Sequence, residues 1–389
     1  MSWNSVPAVE LMVKRGGSVN PSKFPDETFE LLSIPAFDKN EPEILKGSEI
    51  GSSKSCVEPG DVLLSKIVPH IRRCWVVPKK GEHRQIGSGE WIIFRNDRFD
   101  SGFLRHFFTS NVFHSQFMNT VAGVGGSLVR ARPAGVELIE IPLPPLAEQK
   151  RIAAILDKAD AIRRKRQQAI QLADEFLRAV FLDMFGDPVT NPKGFPLGTI
   201  RDLVESANYG SSAKASEAVG DYPILRMGNI TYEGAIDMTD LKYIDLTDKE
   251  KPKYLAVKGD LLFNRTNSKE LVGKTAVYDR DDPVAIAGYL IRVRTNEKGN
   301  SHYISGYLNS AHGKATLQNM CKSIVGMANI NAQEMQDIPL IIPPLSLQNR
   351  YRDIVVSTKE KLAAHQAALN ANNELFNALS QKAFSGQLS

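Results

Sequence analysis

The chain has 389 residues and a mass of 43.0 kDa, which at roughly 100–200 residues per domain suggests two or three globular units. At 42% hydrophobic, 24% charged and 8% aromatic its composition is globular, which excludes collagenous, low-complexity and largely disordered classes. A net charge of +4 identifies no partner. No apolar run approaches the roughly 18–20 residues of a bilayer span, and the opening residues carry no basic region followed by an apolar one, so the expectation is a soluble, cytoplasmic protein with no membrane association.

Residues 1–65 carry 6 Lys/Arg against 10 Asp/Glu, whereas residues 66–132 carry 11 against 4, so an acidic stretch precedes a basic one. Asp61–Leu64 and Trp91–Phe94 are short apolar runs bounded by turn residues and predict strands. Phe103, Leu104, Phe107, Phe108, Val112 and Phe113 follow at near-helical spacing, and their aromatics are most simply core. After Pro144-Pro145, no Pro or Gly interrupts Leu146 to Phe185, and Ala, Leu, Arg, Lys, Gln and Glu dominate, which predicts one long helix stopped by Gly186-Asp187-Pro188. Its apolar seam runs through Ile152, Leu156, Ala159, Ile170, Ala173, Leu177, Val180 and Met184, interrupted by Arg163 and Arg166.

The second half repeats this order. Leu261–Phe263 and Tyr289–Val293 predict strands, and Tyr303, Ile304, Tyr307 and Leu308 a helical patch. Pro343-Pro344 then precedes a second long helix, from Leu345 to about Phe384. Val355, Leu362, Leu369 and Phe376 recur at every seventh residue, flanked by Tyr351, Thr358, His365, Asn372 and Leu379, and Ser385-Gly386 closes the helix.

Two anchors give the same offset of 199 residues: Gly60, Asp61 and Lys66 fall on Gly259, Asp260 and Arg265, and Pro144-Pro145-Leu146 with Gln149 falls on Pro343-Pro344-Leu345 with Gln348. Chance does not readily give one offset twice. Each half is therefore an α+β globule followed by a helix about 60 Å long at 1.5 Å per residue. An apolar seam of that length needs a partner, and the other copy in the same chain is the nearest, giving an intramolecular two-helix coiled coil. Arg163, Arg166, His365 and Asn372 either set its register, mark where other subunits approach, or extend their polar ends out of a loose seam.

Signatures of chemistry are absent. Val272-Gly273-Lys274-Thr275 resembles the end of a phosphate-binding loop, but the required earlier Gly is Ser268. Gly123–Gly126 lacks the dinucleotide-binding register and its acidic residue. Asn191-Pro192-Lys193-Gly194 is not the Asn/Asp-Pro-Pro-aromatic motif of amino-methyltransferases, no Glu-x-Lys completes a nuclease motif after Pro25-Asp26, and neither HExxH nor GxSxG occurs. Cys56, Cys74 and Cys321 have neither disulfide-framework nor zinc spacing. The expectation is a chain with no catalytic residues, no metal and no cofactor of its own.

Ile141–Ile152 with Ile155-Leu156-Asp157 and on to Phe185–Pro188 resembles the central conserved region of specificity (S) subunits of Type I restriction-modification systems. The second Pro-Pro-Leu-x-x-Gln element and the helix to Ser385-Gly386-Gln387-Leu388 resemble the distal conserved region, and Tyr222–Ile230 and Gly259–Arg265 resemble recurrent elements of that family's target recognition domains. The resemblance covers essentially the whole chain. It implies target recognition domains at 1–143 and 187–342, conserved long helices at 144–186 and 343–389, and an internal pseudo-twofold repeat with the helices paired antiparallel. Each globule would read one half of a bipartite, asymmetric site on double-stranded DNA, and the helices would set the spacer and dock two methyltransferase (M) subunits. The M subunits would methylate adenine N6 with S-adenosylmethionine, and two restriction (R) subunits driven by ATP and Mg would cleave unmodified DNA in phage defence. A competing reading is a coiled-coil protein-interaction adaptor that reads no DNA.

Bases are read by Arg or Lys on guanine and Asn or Gln on adenine, while other cations hold phosphates. The DNA-contact candidates are Lys66, Arg72, Arg73, Arg84, Arg130 and Arg132 in the first globule, and Arg226, Asn229, Arg265, Asn267, Lys269 and Lys274 in the second. Subunit-docking and helix-start candidates are Pro144, Pro145, Glu148, Gln149, Pro343, Pro344 and Gln348, with Gln149 and Gln348 bracing the helix starts. Glu148 becomes Leu347 in the second copy, so the two seats differ chemically. The seam positions proposed for the helix pair are Ile152, Leu156, Ile170, Leu177, Val355, Leu362, Leu369 and Phe376.

Overall fold

The structure, a computed structural model, describes residues 3–14, 16–122, 129–324 and 327–388; the Gly123–Gly126 segment lies outside the described residues. The chain forms two compact units, Met1–Gln167 with Ala367–Ser389, and Gln168–Gln366. The division falls inside both long helices, Leu146–Phe185 and Leu345–Phe384, whose bounds agree with the sequence reading. Gly186 and Gly386 stop them at φ +78° and +75°, a backbone region that favours glycine.

In the first unit, strand 28–32 pairs parallel to 84–87 and antiparallel to 43–46, and 84–87 also pairs with 54–56, which carries 18–19 at the edge. A second sheet has the order 74–76, 62–65, 91–94, and strand 5–7 pairs with 140–142 just before the Pro-Pro break. The second unit repeats this connectivity. Strand 222–225 lies parallel to 284–286 and antiparallel to 242–244, with 255–256 on the far side of 284–286. The order 275–277, 261–264, 290–295 gains one edge strand, 204–209, and 197–199 pairs with 339–341.

Each unit then packs two short helices on its second sheet, 101–109 and 111–118 in the first, 301–309 and 311–320 in the other. One serine makes each junction. Ser110 Oγ donates to Phe107 O (2.6 Å) and accepts from Phe113 N–H (3.2 Å); Ser310 Oγ donates to Tyr307 O (2.6 Å) and accepts from Gly313 N–H (3.0 Å). Phe103, Leu104, Phe107, Phe108 and Phe113 are buried as the pattern requires, whereas Val112 points outward because the Ser110 break restarts the helical phase.

The long helices complete these cores by their ends. In the first unit Ile152 and Leu156 are buried with Phe384, whose ring lies 5.5 Å from that of Phe103. In the second, Tyr351 and Val355 are buried with Phe181 and Phe185, and Phe185 lies 4.7 Å from Tyr303. Near the unit boundary the seam is looser: Ile170, Leu177, Leu362, Leu369 and Phe376 are half-buried and His365 is exposed. Arg163 lies 4.3 Å over the Phe376 ring. No helix among the described residues is long and apolar enough to cross a membrane.

Candidate nucleic-acid interface

The repeat is most exact where it positions charge. Gly60 and Gly259 adopt φ +90° and +93°, and the following aspartates are buried. Asp61 Oδ2 accepts the Glu58 N–H (2.8 Å) and Asp260 Oδ2 the Val257 N–H (2.9 Å), closing the same turn. Each carboxylate also receives two donors of one arginine: Arg95, just past the end of the neighbouring strand, at 2.6 Å twice, and Arg294, within its neighbouring strand, at 2.9 and 3.2 Å. The Asp61 hydrogen bonds raise the Arg95 guanidinium above its ordinary range, and Asp260 does the same for Arg294. Arg95 and Arg294 are themselves 199 apart, a signal the sequence carried and the motif reading missed.

From that turn a buried strand leads to Lys66 in one unit and Arg265 in the other. Lys66 N–H donates to Glu90 O (3.1 Å) and its carbonyl accepts from Ala131 N–H (2.8 Å); Arg265 N–H donates to Tyr289 O (3.0 Å) and its carbonyl accepts from Ile330 N–H (2.9 Å). The backbone therefore holds both residues at one strand end, next to the turns carrying Gly89 and Gly288 respectively. The side chains differ. Lys66 Nζ donates to Gly89 O (2.5 Å), whereas the Arg265 guanidinium lies 4.7 Å over the ring of Tyr209, with its buried Nε unpartnered.

Around Lys66 the structure gathers Arg130, paired with Glu90 (3.1 Å), and exposed Arg132. It does not gather the others. Arg72 donates to Thr109 O (3.2 Å) and Asn111 Oδ1 (2.8 Å) at the helix junction. Arg73 is 11% exposed and holds Asp38 through two bonds of 2.7 and 2.8 Å, which keep that carboxyl below its usual range. Arg84 is exposed at the far end of the strand leading to Gly89.

In the second unit an open cleft of about 910 Å³ is lined by Ser211, Lys214, Arg226, Met227, Lys242 and Tyr289, among others. Arg226 pairs with Asp240 (2.8 Å) and Lys242 with Glu217 (2.5 Å). Asn229 is buried: its Oδ1 accepts from Arg226 N–H (2.8 Å) and its Nδ2 donates to Asp237 O (3.0 Å) and Asp240 O (2.9 Å), so its amide holds the turn. Asn267 Oδ1 accepts from Ser268 N–H (2.9 Å) and Lys269 is exposed. Burial lowers the Lys274 amine below the usual lysine range, and a strand, not a helix, follows it, so no phosphate loop forms there. Among the described residues no group of three or more His, Cys, Asp or Glu is placed to hold a metal ion.

Gln149 and Gln348 are buried and make the same three bonds. Gln149 accepts from Asp100 N–H (2.8 Å) and donates to Arg98 O (3.0 Å) and Pro144 O (2.9 Å). Gln348 accepts from Asn300 N–H (2.9 Å) and donates to Lys298 O (3.0 Å) and Pro343 O (2.8 Å). Asp100 and Asn300 are the N-caps of helices 101–109 and 301–309, so each glutamine ties the start of a long helix to the start of a globule helix. Pro144 and Pro343 supply acceptors; Pro145 O and Pro344 O accept the first helical N–H groups. Glu148 pairs with Arg151 (2.8 Å), which also reaches Leu388 O (2.7 Å), an arrangement Leu347 does not reproduce.

Two copies of one α+β globule, each with a basic residue at the same strand end and each anchored to a long helix, make the chain a duplicated globule-plus-helix protein. The family model described as "Type I restriction modification DNA specificity domain" matches residues 92–172 and 192–371, and the chain belongs to that family. It is 27% identical over 311 residues to the Type I restriction enzyme EcoKI specificity subunit of Escherichia coli K12, covering 74% of this chain and 66% of that one. To the StySPI specificity subunit of Salmonella potsdam it is 26% identical over 317 residues, covering 76% and 67%. The chain thus matches about two thirds of the length of these curated relatives. Among solved structures, the S subunit of a Type I restriction-modification system from M. genitalium shares the fold with a TM-score of 0.62 at 14% identity, covering 99% of this chain and 96% of that one. A chain from a structure of Type I restriction-modification complex assembly and conformational transition gives 0.57 at 20%, covering 100% and 98%.

Proposed function

We propose that the chain is the DNA-reading specificity subunit of a Type I restriction-modification complex, itself without catalytic residues. The observation that carries this reading is the duplicated strand end with Lys66 in one globule and Arg265 in the other, set in a chain of the specificity-domain family. The globules 1–143 and 187–342 each read one half of a bipartite, asymmetric site on double-stranded DNA. The helices 144–186 and 343–389 pair as an antiparallel coiled coil, set the unspecified spacer between the half-sites and dock two M subunits. Complementary halves in each unit support that pairing, since early residues of one long helix are buried with late residues of the other. S-adenosylmethionine is bound by M, ATP and Mg by two R subunits, and the complex works in the cytoplasm.

Within the candidate set, Lys66, Arg130 and Arg132 lie together, and Arg265, Asn267 and Lys269 share one strand end and loop. These six are the proposed DNA contacts of first rank. Arg72, Arg73, Arg84, Arg226, Asn229 and Lys274 stand behind them as contacts to phosphate or supports of the loops. Pro144, Pro145, Glu148, Gln149, Pro343, Pro344 and Gln348 shape the seats on which M docks. Base-resolved methylation mapping of DNA from cells expressing this chain with its M partner tests the reading. Two half-sites separated by a fixed unspecified spacer are expected; one uninterrupted motif, or none, overturns it.

A further inference from the structure

Many arginines in this chain are committed to carboxylates: Arg73 to Asp38, Arg95 to Asp61, Arg130 to Glu90, Arg226 to Asp240 and Arg294 to Asp260. Among the described residues Arg265 is paired with no carboxylate. Its backbone is held on both sides by strand hydrogen bonds, and its guanidinium carbon stands over Tyr209, 4.7 Å from the ring centroid. Tyr209 is fixed in turn, because it ends the strand 204–209 and its hydroxyl accepts the Ala332 N–H at 3.0 Å. A guanidinium with one face against an aromatic ring presents its edge, where its N–H donors lie in one plane. Its Nε is buried with no acceptor, so the edge left for a ligand is the Nη1–Nη2 pair.

The position adjoins the cleft. Arg265 N–H binds the carbonyl of Tyr289, which lines it, and the preceding Asn264 donates its amide to Met227 O (3.3 Å), also in the lining. A planar edge of parallel donors matches the O6 and N7 acceptors that guanine shows in the major groove. Resting on the DNA-reading function above, we propose that Arg265, held edge-outward by Tyr209, reads a guanine in the half-site recognised by the second globule. Tyr209 is then a positioning residue, acting through the arginine.

The experiment uses the chain assembled with its M partner and scores methylation on a DNA library randomised at each half-site base. In Arg265→Ala and Arg265→Gln complexes, one G·C position of the second half-site loses discrimination by roughly 5- to 150-fold, with every other position unchanged. Tyr209→Ala relaxes the same position, and Tyr209→Phe, which keeps the ring, retains the wild-type preference. Thermal melting of each complex identifies variants that fail to fold; Arg265→Gln and Tyr209→Phe, being close in shape to the native residues, carry the decision. A second half-site without a G·C pair, unchanged discrimination, or uniform weakening on all sequences with a flatter salt dependence, the mark of a phosphate contact, overturns the assignment. A wild-type complex without a bipartite site sinks the proposed function itself, whereas a bipartite site insensitive to Arg265 sinks only this assignment.

Discussion

The two units share a hydrogen-bond skeleton and differ in what fills it. Both have the glycine turn, the buried aspartate with its two-armed arginine, the serine between short helices and the glutamine under the helix start. Beside Asp260 the second unit adds Arg292, 2% exposed with its Nε 3.9 Å from the carboxylate, where the first unit has Ile93. Burial lowers the Arg292 guanidinium from its ordinary range, and its Nη1 is held by the carbonyls of Pro252 (3.1 Å) and Leu255. On the first short helix, one unit has His106, its Nε2 2.7 Å from Asp157, and the other has Gly306, where a Cβ would lie 2.7 Å from the Tyr351 hydroxyl and 2.9 Å from Phe181. The lesson is that backbone-directed polar contacts are repeated while side-chain volume is exchanged. A turn or cap admits few residue types; a packed layer admits any set whose volumes sum correctly.

The largest expected effect tests the added arginine. Asp260→Ala leaves Arg292 and Arg294 without their shared carboxylate and is expected to destabilise the chain by about 3–5 kcal/mol, measured by urea denaturation. Asp61→Ala is expected to cost less, about 2–3 kcal/mol, because Arg95 retains Glu58 at 2.6 Å. Equal losses would mean that Arg292 is indifferent to the pair.

Next come the glutamines, where the units should agree. Gln149→Ala and Gln348→Ala each leave an N-cap N–H, part-buried at Asp100 and buried at Asn300, and two carbonyls unbonded, and each is expected to cost about 2–3 kcal/mol in the same measurement. A difference well above about 1 kcal/mol, against hydrogen-bond lengths this similar, would show that one helix start is supported elsewhere.

The smallest effect is a pH dependence confined to the first unit. Burial, then the charge of Arg105, lower the His106 imidazole below its ordinary range despite the opposing influence of Asp157 and Asp160. The unfolded chain therefore binds its proton first as pH falls. Stability is full above the unfolded value near 6.5 and falls as the pH drops from there toward the folded value. Denaturation midpoints from about pH 8 to about pH 5 should show this slope, and His106→Gln should reduce it. His114, lowered with the same sign, remains in both proteins, so the difference between them isolates His106.

Both long helices, the matched strands Val62–Ser65 and Leu261–Asn264, and the aromatic faces of the short helices were legible in the sequence, because each rests on near-neighbour periodicity. The candidate interface was legible only in part. Lys66 and Arg265 emerge from the 199-residue offset, but nothing local says that Arg73 is taken by Asp38, that Arg226 is taken by Asp240, or that Arg265 rests on Tyr209. Those partners are distant in sequence and meet only once the sheets and loops of each unit have assembled.

The order of residues alone thus determined the duplication, the two 40-residue helices and the turn, cap and Pro-Pro positions, because glycine conformation, helix propensity and apolar periodicity act over a few residues. Only the tertiary structure decided which cations are neutralised inside the fold and which stay available to a ligand. A charge is free or committed according to what folding brings within about 4 Å of it, and that depends on strand register and helix packing across the whole unit.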